Sequence, residues 1–367
     1  MLDLTFAMCE TRPMPRNRLA LGGKQTDTRS ISLKSLAAHL GLSPTTVSFV
    51  LNASPLAESI PQPTKDRIFA AAEAFNYRPN FVARSLRAQR SYTLGILVPE
   101  LSDGYSAMVL NGVEDYLLSQ GFFYFVASHR HKAELIGRYP QMLVDRSVEG
   151  LIAVDTPVQR RPSLPVVAVS RHDDLKGVTN IVLNHRRAAT LALEYLLEQG
   201  HRGIAFIKGQ SFSSDTEVRW AAIREAARRL NLSVKPSLTA QLEGDSPSPE
   251  LGYIAAGQLL SGGEPFTALF AFNDISAIGA IRALREAGRR VPEDVSVVGF
   301  DDVYAAAFHN PALTTIRQPL WQMGKLAAET LLRRIANGPS APYPKVVTVE
   351  PELVIRQSTG KAPPDTK

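Results

Sequence analysis

The sequence predicts an α/β protein preceded by a small all-α module, and three observations lead there. From Ser32 to Phe75, apolar residues recur at helical spacing in three short runs, with a glycine turn between the first two. From Tyr92 onward, strand-like and helical stretches alternate for more than 250 residues, the pattern of parallel sheets covered by helices on both faces. That length makes either one very large sheet or two ordinary ones, and two are expected. Charge is also divided unevenly. Of 41 Lys+Arg and 35 Asp+Glu, residues 1–90 hold 12 and 6, so the whole net charge of +6 falls there and the rest balances. A basic segment beside a neutral body points to a polyanion-binding module joined to something else.

Taken in order, residues 1–29 mix Pro, Arg, Asn, Gly and Thr without periodicity and are expected to be disordered. Residues 30–78 read as a helix-turn-helix domain. Leu33, Leu36, Ala37 and Leu40 share one face of a first helix that Gly41 ends. Ser43 suits an N-cap, and Pro44 suits the first helical position, where a missing N–H costs nothing. Val47, Val50 and Leu51 give this second helix its apolar face, and Asn52 closes it. Thr64 is expected to cap a third helix with Ile68, Ala71, Ala72 and Phe75 inward. The intervening segment Ala53–Gln62 is stiff with proline and carries no functional assignment.

Residues 79–91 are expected to form a linker with a short helix. The core follows, over 92–358. Its expected strands are Thr93–Val98, Phe122–Ala127, Gly150–Val154, Val166–Val169, Ile204–Ile207, Ala268–Phe272 and Val295–Gly299. The helical stretches Val109–Ser119, Arg187–Glu198, Arg219–Leu230 and Ala277–Glu286 separate most of them. Residues 359–367 are expected to be a flexible tail.

Composition removes several classes of protein. Hydrophobic residues make up 44% and charged residues 21%, ample for a core. A single cysteine, Cys9, excludes a disulfide framework and a cysteine-rich zinc site. No run approaches the roughly 18 apolar residues of a membrane span. Leu2–Ala7 is short, lacks a basic flank and makes no signal peptide, so a cytoplasmic, nucleoid-associated location is expected. The chain contains no G-x-S-x-G, H-E-x-x-H, G-x-x-x-x-G-K-[ST] or G-x-G-x-x-G, so an enzyme is not expected. The seven histidines are scattered apart from His129 and His131, so neither a metal cluster nor a cofactor is expected.

The segment SLKSLAAHLGLSPTTVSFVLN (32–52) resembles the DNA-binding signature of the lactose-repressor (LacI/GalR) family of bacterial transcription regulators. The likeness continues through NYRPNFVARSLR (76–87), TLGILVPELS (93–102), EQGHRGIAFIKG (198–209), FNDISAIGAIRALREAG (272–288), VPEDVSVVGFDD (291–302) and LTTIRQP (313–319). It covers roughly residues 30–357, in order and at the expected spacing. The resemblance implies a periplasmic-binding-protein-like core of two doubly wound subdomains joined by three chain crossings. The first would hold about 92–183 and 319–345, the second about 184–318 and 346–358. It also implies a homodimer, a double-stranded, pseudo-palindromic DNA operator and a small-molecule effector in the cleft, a sugar or derivative being one candidate. The chain would then be a repressor. A solute-binding protein on the same core would need export, and residues 30–88 would have no purpose.

By that resemblance the second helix lies in the major groove. Base contacts fall to Pro44, Thr45 and Phe49, with Ser43, Thr46 and Ser48 completing the DNA face. Phe49 stands where relatives commonly have arginine, so a bidentate guanine contact cannot be made. Phe49 either meets a thymine methyl or buries itself against the domain. In the linker, Asn80, Ala83, Arg84, Leu86 and Arg87 match the hinge, with Leu86 as the minor-groove wedge.

Ligands of doubly wound sheets sit beyond the carboxyl ends of strands. Asn273, Asp301 and Tyr105 follow strands in this way, and Arg219 is expected to begin the helix after Ile204–Gly209. The resemblance assigns effector contacts to Tyr105, Ser170, Arg171, Arg219, Asn273 and Asp301. Capping remains an alternative role for Asn273 and Asp301. Asp274 is expected as a helix-start charge, His185 as a surface histidine, and Trp220 and Trp321 in the core. Asn184-His185 and Ser170-Arg171 stand where relatives often show Asp-Asn and Asp-Arg, which removes two carboxylates and weakens the case for a standard sugar. The tail after Ile355 has no leucine heptad, so no coiled-coil tetramer is expected.

Overall fold

A computed structural model of the chain describes residues 31–52, 54–77, 90–102, 104–158, 163–172, 175–245, 248–338 and 342–364. It divides into two compact units, Met1–Ala88 and Gln89–Lys367.

In the first unit, local chemistry sets the helix ends. Ser32 caps α1 (Leu33–Leu40) by accepting from the Ser35 N–H, and Gly41 ends the helix at φ 67°, a left-handed conformation that favours glycine. Ser43 caps α2 (Pro44–Leu51) by accepting from the Thr46 N–H at 3.0 Å, with Pro44 at the first helical position. The Asn52 side chain donates back to the Ser48 carbonyl at 2.8 Å. Helix α3 spans Gln62–Ala74 with Pro61 at the N-cap position, so Thr64 lies inside it rather than capping it. Leu36, Ala37, Val47, Val50, Ala57 and Ile68 form the buried core. Phe75 is not part of that interior: it is half exposed and meets the His39 ring edge-on at 4.6 Å. The proline-bearing segment contributes after all, because a 3₁₀ turn over Pro55–Ala57 plants Ala57 in the core. Replacing Ser43 by alanine should cost about 1 kcal/mol, the typical worth of an N-cap. Calorimetry of the full chain should show this unit melting earlier while the core transition stays in place.

The second unit holds two six-stranded sheets. Strands β1 (Thr93–Val98), β2 (Phe123–Ser128), β3 (Leu151–Val154), β4 (Val166–Val169), β5 (Val178–Leu183) and β11 (Val346–Val349) form the first, in the order β11-β5-β4-β3-β1-β2. All its pairings are parallel. Strands β6 (Ile204–Lys208), β7 (Thr239–Gln241), β8 (Ala268–Phe270), β9 (Ser296–Asp301), β10 (Thr314–Arg317) and β12 (Glu352–Val354) form the second, ordered β12-β10-β9-β8-β6-β7. Only β12 runs antiparallel, against β10. Every residue of β1, β3, β4, β5 and β9 is buried, as expected where helices cover both faces of a parallel sheet.

The helices are α4 (Gly104–Ser119), α5 (Ala133–Val144), α6 (His185–Glu198), α7 (Ser214–Arg229), α8 (Pro249–Ser261), α9 (Asp274–Glu286), α10 (Tyr304–Phe308) and α11 (Leu320–Asn337). Two pairs pack backbone to backbone. A Cβ on Gly112 of α4 would run into the Trp321 carbonyl of α11, and one on Gly324 into the Val109 carbonyl. In the second subdomain, Gly252 of α8 faces the Ser276 carbonyl and Gly279 of α9 faces the Pro249 carbonyl in the same way.

The chain crosses between sheets after β5, after β10 and between β11 and β12. Two expected boundaries need correction. Residues 346–349 belong to the first sheet, because β11 pairs with β5 and the crossing comes only after Val349. Residues 359–364 are not a loose tail. Thr359 shares a 2.8 Å hydrogen bond with Thr314, Gly360 presents its carbonyl to His201 at 3.1 Å, and the Ala362 N–H donates to Gln199. Among the described residues, no helix is long and apolar enough to cross a membrane.

Candidate functional site

In the first unit, Ser43, Pro44 and Thr45 stand exposed at the start of α2, while Thr46 and Ser48 are half-buried on the following turn. The hydroxyls of Ser43 and Thr46 lie 2.8 Å apart, so each fixes the other. Phe49 does not project with Pro44 and Thr45: it is half-buried and packs on the domain core, which takes up most of its apolar surface. Asn80, Ala83, Arg84, Leu86 and Arg87 lie outside the described residues.

In the second unit, the carboxyl ends of strands from both sheets converge on a cleft whose cavity measures about 80 Å³. Tyr105, Asp155 and His131 come from the first subdomain; Phe212, Asp215, Arg219, Asn273 and Asp301 come from the second. Ligand pockets usually hold ~300 Å³ or more, so admitting an effector requires the two walls to part. What holds them together is mostly hydroxyl and carboxylate chemistry. Asp155 accepts from Ser213 and Ser214 at 3.3 Å each, and Ser214 also donates to the Ser170 carbonyl at 2.6 Å. The His131 and Phe212 rings meet with centroids 3.9 Å apart.

The expected effector residues separate into two groups. Tyr105, Arg219, Asn273 and Asp301 line the cavity. Ser170 is buried behind Tyr105 and accepts its hydroxyl, and Arg171, next to it, is not among the lining residues. Arg219 lies in the second turn of α7 and does not begin that helix, which opens at Ser214. It is 4% exposed, donates to Asp215 at 3.2 Å and to the Phe272 carbonyl, and stacks 3.6 Å from the Phe300 ring centre. Asn273 caps α9 through a reciprocal bond with Ser276 and also lines the cavity, so both of its expected roles coincide. Asp301 accepts from the Gln318 amide at 2.6 Å.

Backbone strain collects at this place. Asp155, Ser170, Asp301 and Asp302 have φ of 37°, 56°, 106° and 58°, conformations that side chains other than glycine's resist and that cluster at functional sites. Asp302 pairs with Arg317 at 2.7 Å and Arg356 at 2.6 Å.

Asp274 opens α9 as expected of a helix-start acid, but its depth, like the placements of Trp321 and His185 that depart from expectation, depends on partners distant in sequence. Asp274 is fully buried, accepting from the Thr315 hydroxyl and the Val303 N–H. Burial and the neighbouring Asp301 push its carboxyl well above the usual range. Trp321 is half exposed, donating to Asp115 at 2.7 Å, whereas Trp220 packs edge-on against Phe206 in the core. His185 is buried, not on the surface, and it joins His172 and Asp215 in one cluster although the histidines seemed scattered. His172 lies 2.7 Å and His185 3.3 Å from Asp215 Oδ1. Burial holds the pKa of His185 below the ordinary histidine value. For Asp215 burial works against ionisation, but His185, His172 and Arg219 together overcome it and hold the carboxylate below its usual range.

Asp155 shows the opposite balance. Burial first, then the charge on Asp215, push its carboxyl up to about 7, and Arg171, Ser213 and Ser214 do not offset them. The folded chain therefore keeps a proton that the unfolded chain releases near pH 3.9. Stability should fall as pH rises from about 4 to about 7, by at most about 4 kcal/mol. Ser213 and Ser214 donate to different oxygens of Asp155, so Asp155→Asn keeps an acceptor for one of them and removes the titration. Its stability advantage in urea should be small at pH 4.5 and several-fold larger at pH 8. An advantage independent of pH would contradict this assignment.

Comparisons with known proteins agree with this division into two units. Residues 32–80 match the profile of bacterial regulatory proteins of the lacI family, and residues 193–359 match a periplasmic binding protein-like domain. The HTH-type transcriptional repressor PurR from Aliivibrio fischeri is 34% identical over 337 residues, covering 89% of this chain and 98% of that protein. Among solved structures, the Lac repressor dimer bound to operator and the anti-inducer ONPF is similar with a TM-score of 0.80. It is 26% identical, and the match covers 90% of this chain and all of that one. The regulator CelR in complex with cellobiose is 27% identical at a TM-score of 0.66, covering 89% of this chain and 99% of that one.

Proposed function

The chain belongs to the lacI family of bacterial regulatory proteins, and from that membership we propose how its two units divide the work. The protein is a DNA-binding transcriptional repressor controlled by a small-molecule effector; it is a regulator and not an enzyme. One observation carries the assignment: a single chain joins a helix-turn-helix unit to a two-sheet core with a polar cleft at the strand ends. As a soluble DNA-binding regulator it works in the cytoplasm, and its place there is on the nucleoid.

The α2 face of Ser43, Pro44, Thr45, Thr46 and Ser48 reads the major groove, two copies reading the two halves of a pseudo-palindrome. Phe49 supports the helix from behind, so base readout rests on small side chains and operator preference departs from that of arginine-bearing relatives. Asn80, Ala83, Arg84, Leu86 and Arg87 provide the hinge contacts, with Leu86 in the minor groove. In the core, Tyr105, Arg219, Asn273 and Asp301 touch the effector, while Ser170 and Arg171 support the cleft from behind. Carboxylates beside aromatic rings favour a ligand carrying several hydroxyl or amine donors, a sugar or derivative among them.

Control requires the effector to bind the operator-competent and incompetent forms unequally. Moving occupancy from about 99:1 to 1:99 takes roughly 5.5 kcal/mol of differential binding. Selection of binding sites from a random double-stranded DNA pool, at stated salt, tests the assignment. Enrichment of a pseudo-palindrome is expected. Folded, dimeric protein that enriches nothing, with and without cell metabolites, would overturn it.

A further inference from the structure

We propose that His172, His185 and Asp215 form a site for one divalent transition-metal ion of the zinc or cobalt class, seated where the two subdomains meet. The three residues come from three elements. His172 lies in the segment after β4, His185 is the first residue of α6, and Asp215 stands in the first turn of α7. Their ligand atoms lie within 4.8 Å of one another. Zinc binds imidazole nitrogen and carboxylate oxygen at about 2.0–2.2 Å, which places ligand atoms roughly 3.3 Å apart in a tetrahedron. Of the observed separations from Asp215 Oδ1, the 3.3 Å to His185 matches that value, and the 2.7 Å to His172 is a direct hydrogen bond that must lengthen to admit an ion.

The independent sign is His185. Its side chain is buried, yet neither ring nitrogen has a hydrogen-bond partner. Its Nε2 faces Asp215 Oδ1 at 3.3 Å without the alignment of a hydrogen bond. Buried polar atoms are nearly always satisfied, and an imidazole with an idle lone pair beside a carboxylate and a second imidazole is what a metal ion completes. Asp215 divides its oxygens: Oδ2 takes Arg219 at 3.2 Å, which fixes the carboxylate as an outer-shell partner does, while Oδ1 faces both histidines and would exchange its 2.7 Å hydrogen bond with His172 for the ion. Arg219 opposes a cation by charge, so two neutral imidazoles and one carboxylate favour a borderline metal over calcium or magnesium. Asp215 borders the cavity, so the fourth coordination position faces the cleft.

The test uses full-length, untagged protein stripped with chelator and titrated with Co²⁺, read by visible d–d absorption and by elemental analysis. One equivalent per protomer is expected, displaced by Zn²⁺ and without the thiolate charge-transfer band that Cys9 would produce. Losing an outer-shell partner already costs 10–100-fold in affinity, so His172→Gln and His185→Gln should each weaken binding at least about tenfold. His172 is partly exposed, so His172→Gln keeps the fold and guards against a trivial loss through misfolding. His129→Gln, at the other histidine pair, should leave binding unchanged. Sub-stoichiometric binding by folded protein, or undiminished binding by the His172→Gln variant, would overturn the proposal. DNA plays no part in this measurement, so its outcome is separate from that of the operator selection.

Discussion

Replacing Arg219 by alanine should lower the stability of the core by about 3–5 kcal/mol, the usual cost of removing one partner from a buried ion pair. It should also abolish the response to whatever ligand releases or secures the unsubstituted protein on its operator. The guanidinium lies between the Phe272 and Phe300 rings, 4.4 and 3.6 Å from their centres, and holds Asp215 and the Phe272 carbonyl at once. Alanine leaves the buried Asp215 without its permanent positive neighbour and opens a void under the cavity wall. Lysine should rescue little, because a point charge on a flexible stem neither stacks on two rings nor reaches two acceptors in one plane. Urea unfolding and ligand-dependent operator binding measure the two effects. A variant with ordinary stability and an intact response would remove Arg219 from the cleft assignment.

Gly279→Ala should be still more damaging to folding, with an expected loss of several kcal/mol and poor recovery of soluble protein. The new Cβ would lie inside the Pro249 carbonyl, and the Tyr253 N–H is the next obstacle, so α8 and α9 must separate along their length. Backbone cannot rotate aside as a flexible side chain can. Gly257→Ala on α8 is the matched control, since a Cβ there meets nothing within 4 Å and should change stability by less than about 1 kcal/mol. Thermal melts of the two variants distinguish close helix approach from loss of helical glycine in general.

These two residues also show where sequence reasoning reaches and where it stops. Caps are local, so Gly41, Ser43, Pro44 and Asn273 disclose their helix ends by residue type alone. The principal strands are legible for a similar reason: a parallel strand buried on both faces is a continuous apolar run. Strands β5, β7, β10, β11 and β12 went unread because polar residues interrupt their apolar runs: Thr179 and Asn180 in β5, Thr239 and Gln241 in β7, Thr314 and Thr315 in β10, Thr348 in β11 and Glu352 in β12. Helices α5, α8, α10 and α11 were also missed. Asp155 could have been found, since it directly follows an expected strand in the same way as Asp301. His185 could not. Nothing near it in sequence announces that His172 and Asp215, 13 residues before it and 30 after, fold against it. Hydrogen-bond partners of that kind decide whether a polar side chain is solvated or interior, and they are set by tertiary pairing.

The glycine contacts have a mechanical consequence. Each half of the core contains a helix pair locked carbonyl to Cα, α4 with α11 and α8 with α9, and such seams do not slide without a large penalty. Each half therefore behaves as a stiff plate. Compliance is left to the three ribbons between the plates, two of which are bonded to each other. Asn184 on the first ribbon bonds Glu350 on the third, while Gln318 on the second is anchored to Asp301 at the end of β9. Ribbons placed side by side and cross-bonded in this way resist torsion more than bending, as a leaf flexure does. Work done by a small molecule in the cleft is thereby channelled into one coordinate, the opening angle, instead of being dissipated as internal deformation of either plate.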